Sequence, residues 1–130
     1  FDVNDLGRTA THEVGHYFNL IHIWGDNVCG NDSIADTPPQ EAKNDGCPVF
    51  PYNAFNSCGS DAKGEMYMNY MDYVDDDCMN MFTLGQADRM RAAILGPRAS
   101  LLNSFACQTT VSVKESKQKI ALKIYPNPTD

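Results

Sequence analysis

Apolar residues recur every four positions at Leu6, Ala10, Val14 and Phe18, the spacing of one helix face. Asn4 or Asp5 stands where a helix start is capped, so the pattern predicts a helix from about Leu6 to Phe18. A second helical run, Leu84, Ala87, Met90 and Ile94, follows a capping box of Thr83 and Gln86 and is stopped by Gly96-Pro97. Its polar face, Asp88, Arg89 and Arg91, reads as solvated surface. Between the two runs the periodicity is lost, and the stretch from Cys29 to Cys78 is rich in Gly, Asn, Asp and Pro. Irregular segments of this length are usually tied by bridges or ions. From Gln108 to Gln118 the composition is that of a linker, and Ile120 to Ile124 then begins a strand closed by a proline turn.

Chemistry enters with the histidines. All three lie between positions 12 and 22, as His12-Glu13-Val14-Gly15-His16 followed by His22. At about 100° per residue, His12 and His16 share a helix face, offset by roughly 40° and about 6 Å along the axis. Neutral imidazoles so placed can meet on one cation. His22 would face about 240° away from His16 if the helix ran on, so the chain must reverse before it. Asn19 tolerates the left-handed backbone that such a reversal needs. Three imidazoles without a fourth Cys or His hold zinc with one position left open, as catalytic rather than structural sites do. Glu13 is poorly aimed as a ligand and well placed to accept a proton from a water.

These residues resemble the metzincin metallopeptidase pattern HExxHxxGxxH with a later methionine turn, except that Asn19 stands where Gly is usual. More narrowly, Thr11 to Asp26, Ala35 to Pro38 and Met68 to Gln86 are similar to the pappalysin family. The likeness is nearest to its bacterial cytophagalysin-like branch, where Asn at that position is common, and it spans roughly Leu6 to Leu102. It implies an α+β fold in which residues 1–107 are the C-terminal half of a zincin-like catalytic domain. That half consists of an active-site helix, irregular disulfide-tied loops and a C-terminal helix, with the β-sheet subdomain lying upstream. The resemblance makes Met71, within Asn69 to Tyr73, the methionine beneath the zinc, an apolar and adaptable floor. Read alone, Met71 is an ordinary core methionine. The resemblance places the Tyr73 phenol near the zinc, able to donate to an oxyanion. It also makes Asp77 the acidic residue of a pocket for Arg or Lys at P1′. By charge alone, Asp75-Asp76-Asp77 is a solvated loop.

At 130 residues the chain is at most one domain with a tail, and it reads as a piece of one. A net charge of −7 with no basic patch disfavours nucleic acid as a partner. No apolar run approaches bilayer length. No leader peptide is visible, as expected of an internal piece. Five cysteines, at 29, 47, 58, 78 and 107, lack CxxC spacing and point to disulfides and an extracytoplasmic setting. Any four of them allow three pairings; the resemblance implies Cys29–Cys58 and Cys47–Cys78, leaving Cys107 for a cysteine upstream of Phe1. The stretch Gly30 to Thr37 offers oxygen ligands without EF-hand spacing, which on chemistry alone favours an ordinary turn. Similar proteins bind structural calcium in this loop, which implies Asp32, Asp36 and Thr37 as ligands. Residues 119–130 resemble the opening of the C-terminal sorting domain of the Bacteroidetes type IX secretion route, which implies that machinery as a partner. The expectation is a secreted or cell-surface zinc endopeptidase acting on proteins or peptides. Its rivals are a non-catalytic extracellular metal-binding or adhesion module and a degenerate peptidase kept as an interaction domain.

Overall fold

The computed structural model describes residues 4–52, 58–59 and 64–106. Among the described residues, two α-helices and two 3₁₀ turns run in the order α1 (Arg8–Tyr17), Asp76–Cys78, α2 (Leu84–Leu95) and Ala99–Asn103. Among the described residues there is no strand, only an isolated parallel bridge between Asn69 and Met81. The two helices expected of this half of the domain are present; the α+β expectation places its sheet upstream of these residues. The linker at 108–118, the strand near 120 and Cys107 lie outside the described residues. No helix among the described residues is long and apolar enough to cross a membrane.

α1 departs from expectation at its start and in its buried face. It begins at Arg8 behind Gly7, and neither Asn4 nor Asp5 caps it. The Asp76 carboxylate does so from across the chain, accepting from the amides of Leu6 (2.9 Å) and Arg8 (3.0 Å). A carboxylate there satisfies orphan amides and favours the positive end of the helix dipole. The expected apolar stripe faces outward, with Val14 51% exposed and Leu6 54%. The face turned inward carries His12 and Gly15. It is drawn down because Gly15, lacking a side chain, lets Met71 and Leu20 pack against the backbone.

The helix end follows expectation. Asn19 adopts φ 72, and the amides of Asn19 and Leu20 donate to the carbonyls of His16 (2.9 Å) and Gly15 (3.0 Å). This paired 5→2 and 6→1 pattern is a Schellman motif, and it turns the chain back toward His22. α2 is capped as read: Thr83 accepts from Gln86 N, and the Gln86 side chain accepts from Thr83 N. Its polar face is less solvated than expected at one position, since Arg89 donates to the Asp32 carbonyl (2.9 Å).

Among the described residues, the core has two clusters. Leu20, Ile34 and Met71 pack with Phe82 and Met90, while Tyr67, Val74 and Met79 pack with Tyr52, Met68 and Tyr70. Buried amides join them: Asn69 and Gln86 exchange side-chain hydrogen bonds (2.8 and 3.0 Å), and Asn69 also accepts from the Met71 amide (2.9 Å). The α2 cap and the Met71 turn are therefore one unit, with each buried amide partnered. Disulfides Cys29–Cys58 and Cys47–Cys78 (Cα–Cα 5.4 and 5.7 Å) interlace around the irregular segment, as the resemblance implied.

Candidate metal centre

Each imidazole reaches the centre from a differently anchored backbone. His12 and His16 stand one turn apart on α1, and the reversal at Asn19 returns His22 to them. His16 Nε2 lies 3.0 Å from His12 Nε2 and 3.3 Å from His22 Nε2. The three ligand atoms all fall within 4.8 Å of one another. A tetrahedral zinc with Zn–N bonds of about 2.0–2.1 Å separates its nitrogens by about 3.3–3.4 Å.

The tautomers test whether a cation fits. The far nitrogens are all committed: Nδ1 of His12 to the Tyr70 carbonyl (2.7 Å), of His16 to the Leu20 carbonyl (2.9 Å), and of His22 to the Asp26 carboxylate. Carbonyls and carboxylates only accept, so each Nδ1 carries the proton. In the neutral rings each Nε2 then presents a lone pair, and three lone pairs converge. Such an arrangement repels itself unless a cation lies between them, so the donor set fits zinc. Burial pushes the His12 pKa below the ordinary 6.5 against the opposing Tyr70 bond, with His16 and His22 adding to the lowering. Burial thus favours the neutral, ligating form of His12.

Beneath α1, Met71 is fully buried, and a Cβ built on Gly15 would meet its sulfur at 2.5 Å. Gly15→Ala must therefore displace this floor. The expected cost is about 1–3 kcal/mol, read as a lowered midpoint in denaturant. A midpoint equal to the parent's would show that the floor yields freely.

Glu13 is exposed and does not join the ligand set. It lines a cleft of about 380 Å³ with Asn4, Thr9, His12, Asp45, Tyr73, Val74 and Met79. The Tyr73 ring centroid lies 5.4 Å from that of His12 and 4.9 Å from that of His22. A larger hollow of about 520 Å³, walled by Pro38, Phe50, Met66, Met68 and Met81, contains none of the histidines. The smaller cleft is the one that brings His12 of the ligand set together with the Glu13 carboxylate and the Tyr73 phenol.

Other expected residues are placed differently. Asp77 is exposed and does not line this cleft; the buried member of its run is Asp76, engaged at α1. The cleft's other carboxylate is Asp45, which sequence reading did not single out. Thr37 donates to the Asp32 carboxylate (2.8 Å), bringing those two together. Asp36 instead accepts from the Gly85 amide (2.9 Å), a bond that lowers its pKa. Burial pushes the Asp32 carboxyl up, opposed by Thr37 and the Ile34 amide. Trp24, Asp26 and Asp72 were also missed. Only Asp26 left a signal, its position four residues after His22.

The profile of the peptidase M43 family, described as pregnancy-associated plasma protein-A, matches residues 3–95. An extracellular metalloprotease of Arthroderma otae is 47% identical over 89 residues, covering 67% of this chain and 31% of the relative. One from Verticillium alfalfae is 48% identical over 90 residues, covering 68% and 31%. Mature mirolysin of Tannerella forsythia, solved in complex with a cleaved peptide, superposes with a TM-score of 0.63 at 55% identity, covering 68% of this chain and 33% of that one. Mirolysin in complex with a small compound gives 0.65 at 56%, covering 69% and 34%. The chain thus spans about a third of the length of these relatives, and its described part shares the metalloprotease-domain fold of mirolysin. Convergent histidines and a match running from position 3 to position 95 agree: the chain belongs to the peptidase M43, pregnancy-associated plasma protein-A family.

Proposed function

We propose that this chain carries the zinc site and catalytic cleft of a secreted metallo-endopeptidase of metzincin type. The observation that carries the reading is the meeting of three Nε2 lone pairs, each fixed by a committed Nδ1. His12, His16 and His22 would hold the ion, which when bound supplies a Lewis acid that acidifies water and polarises a carbonyl. Glu13, next to His12 at the cleft, takes the proton of the attacking water and returns it to the leaving amine. Tyr73 donates its phenolic hydrogen to the oxyanion of the tetrahedral intermediate. Met71 gives the centre an apolar underside. A site that only braced the fold would need no carboxylate beside an open cleft, which weighs against the adhesion-module reading.

Relatives named extracellular metalloproteases and the two interlaced disulfides support secretion. Delivery by the type IX route rests on the resemblance of residues 119–130, which lie outside the described residues. A structural calcium at Asp32, Asp36 and Thr37 belongs to the same reading, with Asp36 accepting from the Gly85 amide through one of its two oxygens. The basic P1′ preference rests on the resemblance at Asp77, with Asp45 nearer the cleft. Zinc analysis and mass-spectrometric mapping of cleavage sites test the whole. The full chain should hold one zinc, lose activity to a chelator, and cut before Arg or Lys. Activity untouched by metal removal would sink the enzyme reading, and cuts without a basic P1′ residue would remove the specificity.

A further inference from the structure

His22 differs from its two partners in what fixes its ring. His12 and His16 are carried on α1 and donate to backbone carbonyls, which no side-chain replacement can remove. His22 lies beyond the helix, and its Nδ1 partner is a side chain, the Asp26 carboxylate. Its face is covered by the Trp24 indole, stacked at 4.3 Å with an interplanar angle of 5°. The same indole meets Tyr73 edge-on at 5.1 Å. We propose that Trp24 and Asp26 are positioning residues for the third zinc ligand, Asp26 setting its tautomer and Trp24 its ring plane. This rests on the zinc reading above.

The backbone around them is built to this end. Ile23 N donates to the Met71 carbonyl (3.2 Å) and Gly25 N to that of His22 (2.8 Å), closing a turn over the methionine floor. Gly25 has φ 65, and a Cβ there would stand 2.3 Å from Asn31 N, so the turn is pressed against the following loop. Asp26 follows at φ 57, in the left-handed region that aspartate tolerates better than most residues. From there its carboxylate reaches back to His22. An acceptor on Nδ1 leaves the Nε2 lone pair aimed at the other two nitrogens, the usual device by which outer groups orient a metal ligand. The indole opposes rotation of the ring out of that line and links its plane to that of Tyr73.

The test measures zinc affinity of the full chain by competition with a chelator, the visible spectrum of its cobalt(II) form, and the melting temperature of the metal-free form. Asp26→Ala should weaken zinc binding by about 10–100-fold and alter the cobalt spectrum. The metal-free melting temperature should fall only slightly, because Asp26 is exposed and the one cost is alanine's poorer tolerance of its left-handed φ of 57. Asp26→Asn keeps an acceptor oxygen and should recover most of the affinity. Trp24→Ala should likewise change the cobalt spectrum. Parity of Asp26→Ala with a zinc-loaded parent overturns the positioning role alone. So does an affinity loss that only tracks metal-free melting, or an Asn variant as weak as the Ala variant. A parent that takes up no zinc overturns the metal reading as well.

Discussion

Replacing Glu13 by glutamine is expected to lower kcat/KM for peptide hydrolysis by about 10²–10⁴-fold, the range of a lost general acid–base, with zinc content unchanged. Glutamine keeps the size and hydrogen-bonding reach of the side chain but cannot take a proton. Glu13 sits on α1 next to His12, outside the ligand set and exposed to the cleft, so neither the helix nor the metal should respond. The loss should appear chiefly in kcat, because a group acting on a proton in flight contributes most in the transition state. Steady-state kinetics with metal analysis on the same sample decide it. A variant cutting at the parental rate would falsify the role given to Glu13.

The largest expected effect on stability is at Asp72, between the methionine floor and Tyr73. Its buried carboxylate accepts from Gln40 Nε2 (2.9 Å), from Asn44 N and Nδ2 (both 2.8 Å) and from Tyr73 N (2.8 Å). Burial pushes its pKa above 3.8, although all four bonds pull the other way. That shift compares the carboxylate with its own protonated form, which still offers oxygen lone pairs to the donors. Alanine offers none, so Asp72→Ala should cost about 3–5 kcal/mol by leaving buried donors unsatisfied. The sign of the pH effect follows separately. With a folded pKa above the unfolded one, this group's contribution is complete below pH 3.8 and is lost as pH rises through the folded value. The parent's stability should show that downward component and the variant should lack it. Denaturant titrations at several pH values measure both. A variant as stable as its parent at neutral pH would mean that water reaches those donors.

The legible parts of this molecule were those that depend on near neighbours in the chain. His12 and His16 declared themselves by one helical turn, Asn19 by the reversal that His22 requires, and α2 by its Thr83–Gln86 box. The illegible parts depend on distant partners. The cap of α1 is 68 residues away at Asp76, in an acidic run that charge alone assigns to solvent. Leu6 and Val14 have helical spacing but lie outside, because the Gly15 notch over Met71 decides which face turns inward. Asp72 and Asn69 gave no sign of burial, since their partners Gln40, Asn44 and Gln86 come from elsewhere in sequence. Met71 was named through family likeness; its spacing alone would have left it an ordinary core residue.

The long-range cap has a further consequence. α1 is only ten residues long and has no side-chain cap of its own. Isolated helices shorter than about 12–15 residues are marginal in water. Cut from its surroundings, the peptide bearing all three imidazoles would lose the Asp76 anchor, the sulfur beneath Gly15 and the Tyr70 acceptor together. The signature is therefore not portable: a transplanted copy would bring the letters of the motif without the shape that gives them a purpose.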